Sequence, residues 1–237
     1  MNLSVKAAVE LARHNMRHQP RSAAARIYDD LRQRILSLEL PPGASLLRAE
    51  LAQRYDVSQT PLRDALQRLE QDGLVEIFPQ SRTLVTRIDA TRVQEAQFLR
   101  VALETEVVRR LARKGAQDVV DFGRAVIELQ RSLATDRSQL QLFQEMDEYF
   151  HGVLFGGLQQ DDLHALVRSR SGHLDRVRRL QTHAEDKIRE ILQGHERIVA
   201  AIEARDEDAA VEAIRVHLHK EPDWVNSFRA EHQDYFS

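Results

Sequence analysis

The chain has 237 residues, no cysteine, 34 Lys+Arg against 37 Asp+Glu and a formal net charge of −3. That length accommodates two domains with real cores, and the absence of cysteine excludes disulfides and thiolate metal sites and suits a reducing cytoplasm. No apolar run approaches the roughly 20 residues that span a bilayer, and no signal-peptide core opens the chain, so the expectation is a cytoplasmic protein with no membrane partner.

Charge is divided unevenly. Residues 1–88 carry 13 Lys+Arg and 10 Asp+Glu, a balance of +3, and the remainder carries −6. A basic N-terminal part on an acidic protein suits a nucleic-acid-binding module carried by a domain with another task. Six prolines and nine glycines in the whole chain, with few β-branched runs after residue 88, predict a mainly α protein.

Residues 1–21 form an N-terminal arm or an extra helix. Residues 22–88 then read helix, helix, helix, hairpin. Ile27, Leu31 and Ile35 recur at helical spacing, and Pro41-Pro42-Gly43 ends that helix. Ser45 is positioned to cap a short second helix bearing Leu47, Leu51 and Tyr55. Asp56-Val57 is a tight turn, and Ser58 or Thr60 caps a third helix with Pro61 in its first turn. Leu62, Ala65, Leu66 and Leu69 face inward, leaving Gln59, Thr60, Arg63 and Gln67 outward. Gly73 suits the position after the helix end. Leu74–Phe78 and Thr83–Ile88 read as a hairpin whose tip offers Arg82 to a phosphate or a minor groove. This order describes a winged helix-turn-helix, whose third helix enters the DNA major groove. Arg48, Ser58, Gln59, Thr60, Arg63, Arg68 and Arg82 are the candidate DNA contacts.

Thr86–Thr91 reads as a linker. Residues 89–237 form the second domain, with amphipathic helices expected near 92–114, 117–133, 137–155, 160–180, 184–204 and 207–219 and a tail helix beyond Pro222. Phe143, Met146, Phe150 and Leu154 make an apolar stripe, and Asp147 and His151 lie on it one turn apart. His195 interrupts the stripe of Ile188, Ile191, Leu192, Ile198 and Ile202. His217 shares the inward side of Ala210, Ala213, Ile214 and Leu218. One carboxylate and three imidazoles from three helices thus point toward the core. Burying them unpartnered is costly. A shared divalent metal satisfies all four, and a hydrogen-bonded polar core satisfies each separately, so periodicity leaves both readings open. His14, His18, His164, His183, His219 and His232 read as surface or structural.

Residues 25–86 resemble the GntR-family DNA-binding domain, on Leu40-Pro41-Pro42-Gly43, Val57-Ser58, Thr60-Pro61-Leu62-Arg63-Asp64-Ala65-Leu66, Arg68-Leu69-Glu70 and Gly73-Leu74-Val75. The chain departs from that pattern at Gln59, usually arginine, at Arg82, usually glycine, and at Ala49, an arginine in some members. Residues 93–219 resemble the all-helical FCD effector domain of the same family's FadR-type members. Asp147-Glu148-Tyr149-Phe150-His151, Gly194-His195 and Val216-His217-Leu218 match its metal-binding pattern.

The resemblance implies a homodimeric regulator with two winged helices on a near-palindromic double-stranded operator, and repression as the commoner sign in the family. It implies a divalent metal, zinc first, with nickel, manganese or iron as alternatives. It also implies a small carboxylate effector. Arg100 and Glu104, in a family motif whose arginine faces the pocket, are effector-binding candidates, and arginine grips carboxylates bidentately. His173, Arg176 and Arg178 are further candidates; helical phase cannot turn all three inward, and surface salt bridges are their alternative reading. The alternative function is a metal-dependent hydrolase or lyase using the same Asp/His cluster.

Overall fold

The computed structural model describes residues 22–78, 82–181, 185–220 and 223–237. The expected N-terminal arm and the Pro79-Gln80-Ser81 hairpin tip lie outside the described residues, as does His183. Among the described residues the chain forms eleven α-helices and one three-stranded sheet, the mainly α fold the sequence predicts.

Helix α1 (Ala23–Leu36) buries Ile27, Leu31 and Ile35 and is capped by Ser22, which accepts from the Ala25 amide. Strand β1 (Ser45–Leu46) stands where the sequence suggested a Ser45 cap. Helix α2 (Arg48–Tyr55) instead has Leu47 as its N-cap, with no side-chain capping bond. Ser45-Leu46 is taken up in an antiparallel pairing with Leu84-Thr83, and backbone bonding to a neighbouring strand replaces the local cap. Asp56 makes the turn in the left-handed region at φ 50°. Helix α3 (Gln59–Gln71) follows, burying Leu62, Ala65, Leu66 and Leu69. Gly73, at φ +74°, supplies the conformation that ends it. Strands β2 (Val75–Ile77) and β3 (Thr83–Val85) are the wing, and the sheet order is β1-β3-β2. Tyr28 donates to Asp72 and Tyr55 to Asp30, tying α1 to the end of α3 and to α2.

The remaining helices are α4 (Ala90–Lys114), α5 (Gln117–Leu133), α6 (Leu140–Gly156), α7 (Asp161–Arg170), α8 (Gly172–Gln181), α9 (Glu185–Glu203), α10 (Glu207–Leu218) and α11 (Trp224–Glu231). The single helix expected over 160–180 is two. The break falls at Ser171-Gly172, where two poor helix formers meet.

The chain packs as two units that do not follow the expected boundary at residue 88. The helical unit holds Gln97–Arg168 and Gln181–Lys220. Its core runs from Val108 and Leu111 through Phe143, Phe150, Leu154 and Phe155 to Ile198, Ile202 and Ile214. The mixed unit holds residues 22–96, 169–180 and 223–237. It has one core inside the winged module and a second of Ile88, Val93, Ala96, Leu174, Val177, Val225 and Phe236. The expected linker is therefore fixed in place. Ile88 donates its amide to Tyr235 O at 2.7 Å and accepts from the Ser237 amide at 3.0 Å.

Candidate metal centre and DNA-reading surface

In the helical unit, α6 carries Asp147 and His151, α9 carries His195 and α10 carries His217. One ligand atom from each lies within 4.8 Å of all the others. Donors about 2.1 Å from one ion sit about 3.0–4.2 Å apart, so small side-chain movements bring this set onto a single ion. Asp147, His151 and His195 are buried and His217 partly so.

The surrounding bonds fix which imidazole nitrogen is free. The Gln130 carbonyl oxygen lies 2.9 Å from His195 Nδ1. A carbonyl only accepts, so Nδ1 carries a proton and Nε2 is the nitrogen turned into the cluster. It faces Asp147 Oδ1 at 3.3 Å. Glu104 Oε2 lies 2.6 Å from His151 Nδ1, and its other oxygen takes Arg100 Nε at 2.5 Å. Burial would raise Glu104, yet Arg100 and His151 outweigh it and hold the carboxyl at about 2. An ionised Glu104 draws the His151 proton to Nδ1 and leaves Nε2 directed at His217 Nε2, 3.3 Å away. Burial lowers His151 to about 4 and pushes His217 well below its ordinary value. These imidazoles are neutral at physiological pH, the form that ligates a metal. Four atoms able to ligate thus converge on one point, and the donor set fits a divalent ion of the imidazole-favouring kind.

Two residues that the periodicity did not single out shape this cluster. Gln130 is fully buried on α5 and holds His195 in place. Gly194 admits His217, because a Cβ there would lie 2.3 Å from His217 Nδ1. Their signals were available: a polar residue among Val126, Ile127 and Leu133, and a glycine inside a helix, where it is costly without a packing reason. The Phe150 ring stacks on His195 at 3.8 Å between centroids, nearly parallel.

Arg100 and Glu104 are both buried in this unit. His173 and Arg176 are not part of it. Both lie in the mixed unit, where their polar atoms meet the winged module. His173 Nε2 is 3.1 Å from Gly73 O, and Arg176 Nη1 donates to Thr86 O at 2.6 Å. The resemblance offered the two as pocket candidates, and nothing in the sequence said which unit their helix joins.

In the winged module, Arg48, Gln59, Thr60 and Arg63 line one surface hollow of about 130 Å³. Ser58 is the exposed N-cap of α3. Arg68 stands over the Tyr28 ring at 4.2 Å and Arg82 over Phe78 at 5.2 Å. The hollow gathers four of the seven expected DNA contacts, while Arg68 is drawn toward α1.

Residues 23–85 match the family described as bacterial regulatory proteins, gntR family, and residues 95–220 match the FCD domain. The chain belongs to the GntR family. It is 37% identical over 214 residues to an HTH-type transcriptional regulator in an unstable DNA locus of Streptomyces ambofaciens, covering 89% of this chain and 88% of that one. It is 31% identical over 211 residues to the HTH-type transcriptional repressor RspR of Escherichia coli K12, covering 89% and 92%. Among solved structures, E. coli McbR/YncC shares the fold at a TM-score of 0.71 and 19% identity, over 91% of this chain and 99% of that chain. The relatives are transcriptional regulators, and the hydrolase alternative finds no support among them. No described helix is long and apolar enough to cross a membrane.

Proposed function

We propose that this chain is a ligand-responsive transcriptional repressor that binds a near-palindromic operator as a homodimer and senses a small carboxylic acid at a metal site. The observation that carries the reading is the convergence of Asp147, His151, His195 and His217 beside the buried Arg100–Glu104 pair. In this reading those four residues hold a divalent ion, zinc first. Where its coordination extends beyond these four ligands, such an ion would supply a position for a carboxylate oxygen. Arg100, with Nε committed to Glu104, offers the rest of its guanidinium to the same acid. Arg48, Gln59, Thr60 and Arg63 read the operator, with Ser58 at the start of α3 and Arg82 on the wing. The effector prefers one conformational state and shifts operator affinity by its own difference in affinity between the two states. The repressor named RspR, related over most of both chains, supports repression as the sign.

The test is elemental analysis of protein purified without chelator or metal-binding tag, beside the His151→Ala/His195→Ala double variant. About one metal per chain, absent from the variant, is expected. A panel of small carboxylates should then change DNA binding by the wild type and not by the variant. Failure of both proteins to take up zinc, nickel or manganese would overturn the metal reading.

A further inference from the structure

Helix α8 sits within the FCD match at residues 95–220, yet it packs in the mixed unit. Its bonds there are specific. His173 Nδ1 accepts from the Asp89 amide at 3.0 Å and from Arg176 Nη2 at 3.1 Å. A backbone N–H and a guanidinium can only donate, so Nδ1 is unprotonated. The ring proton is therefore on Nε2, where it meets Gly73 O, which can only accept. Arg176 is fully buried. Its Nε donates to Gly172 O at 3.2 Å and its Nη1 to Thr86 O at 2.6 Å. Thr86 Oγ1 in turn donates to Gly73 O at 2.7 Å. In the same first turn of α8, Asp175 lies 3.8 Å from Arg32 of α1.

These bonds reach three landmarks. Gly73 closes the recognition helix α3, Thr86 follows the last wing strand, and Asp89 precedes α4. Among the described residues, side chains of helix α8 bond to all three.

We infer that His173 and Arg176 are positioning residues for operator binding, a clamp through which α8 sets the recognition helix and the wing in one register. Neither touches DNA. They act through the carbonyls of Gly73 and Thr86. The inference rests on membership of the family and not on the metal reading, so the two fail separately.

The experiment uses the full chain and a duplex selected from a random pool by the wild-type protein. His173→Ala, His173→Asn and Arg176→Lys are compared by fluorescence anisotropy across a salt series. Helix content and midpoint of thermal unfolding are followed in parallel. His173→Ala and Arg176→Lys should each weaken binding about tenfold or more. The plot of log affinity against log salt should also become shallower, by about 0.9 for each phosphate that a misplaced wing no longer reaches. His173→Asn keeps an acceptor for Asp89 and Arg176 and should fall between His173→Ala and the wild type. A merely structural role lowers the fraction of active protein and leaves the salt slope unchanged, and that result would overturn the inference. Wild-type affinity in a folded His173→Ala would overturn it equally. If Arg176→Lys fails to fold, the ordering of the two His173 variants decides.

Discussion

The protein contains two buried polar clusters built around histidine, and they differ in what their lone pairs meet. Around His173, every ring nitrogen and guanidinium position described has a complementary partner, and backbone carbonyls and amides supply most of them. Around His151, His195 and His217, the outer nitrogens of the first two are satisfied by Glu104 and Gln130, and the inner ones face each other or a carboxylate. The first arrangement is complete and acts as a joint. In the proposed reading a divalent cation completes the second. Residue type does not separate a ligand site from a structural network, whereas the direction of the lone pairs does.

The largest expected effect breaks the joint. Arg176→Met takes the guanidinium donor from Thr86 O and one of the two donors from His173 Nδ1, and an unpaired buried group costs about 1–3 kcal/mol. A destabilisation of about 3 kcal/mol should appear as a lower denaturant midpoint, and an unchanged midpoint would show that the network contributes little. Next, saturating divalent metal should stabilise the wild type, by about 2.7 kcal/mol at 100 times its Kd. His195→Ala should abolish that gain and His173→Ala should retain it. If the metal-dependent rise in melting temperature vanished in both, the two clusters would not be separate devices.

Smaller effects sharpen the contrast. Gly194→Ala drives a methyl into His217, and Gln130→Leu removes the bond that orients His195. Each should weaken metal affinity about 10–100-fold by isothermal titration, the usual range for groups that orient ligands.

Acid probes the joint as well. Burial, reinforced by the nearby charges of Arg176 and Arg92, lowers His173 to about 4, with the Gly73 carbonyl and Asp89 opposing. A folded-state value below the ordinary 6.5 means that the unfolded chain takes up the proton first. The stability from neutral His173 is therefore intact above about pH 6.5 and declines as pH falls toward 4, at up to about 1.4 kcal/mol per pH unit. Unfolding free energies measured from pH 7 to 4 should fall less steeply in His173→Asn. The smallest effect concerns DNA. Arg63→Ala should reduce the salt slope by about 1, while Arg68→Ala, which removes a cation–π interaction with Tyr28, should leave the slope unchanged and cost about 0.5–1 kcal/mol of stability.

The winged module was legible because its signals are local. Ile27, Leu31 and Ile35 announce α1 by spacing alone, and Asp147 and His151 announce a shared face because four residues make one helical turn. Ser45 misled because its capping chemistry is local too, while its pairing partner Leu84 is distant. The partners of His173 and Arg176 were illegible for a similar reason. Gly73 and Thr86 are about a hundred residues earlier in the chain, and a polar face on a helix reads the same whether it meets an effector or a carbonyl. Thr86–Thr91 looked like a linker because nothing nearby in sequence announces that Tyr235 and Ser237 bond to Ile88.

That last pairing sets an order of assembly. Ile88, directly after the wing, gains its backbone partner only when residues 235–237 arrive, and its core neighbours Val225 and Phe236 come equally late. A ribosome making this chain must therefore complete every helix of the helical unit before the mixed unit can close. Pairings of such long sequence separation slow folding. The part of the protein that reads DNA precedes the helical unit in sequence and gains part of its support after it, so a nascent chain stopped within the helical unit would carry a recognition helix without that support.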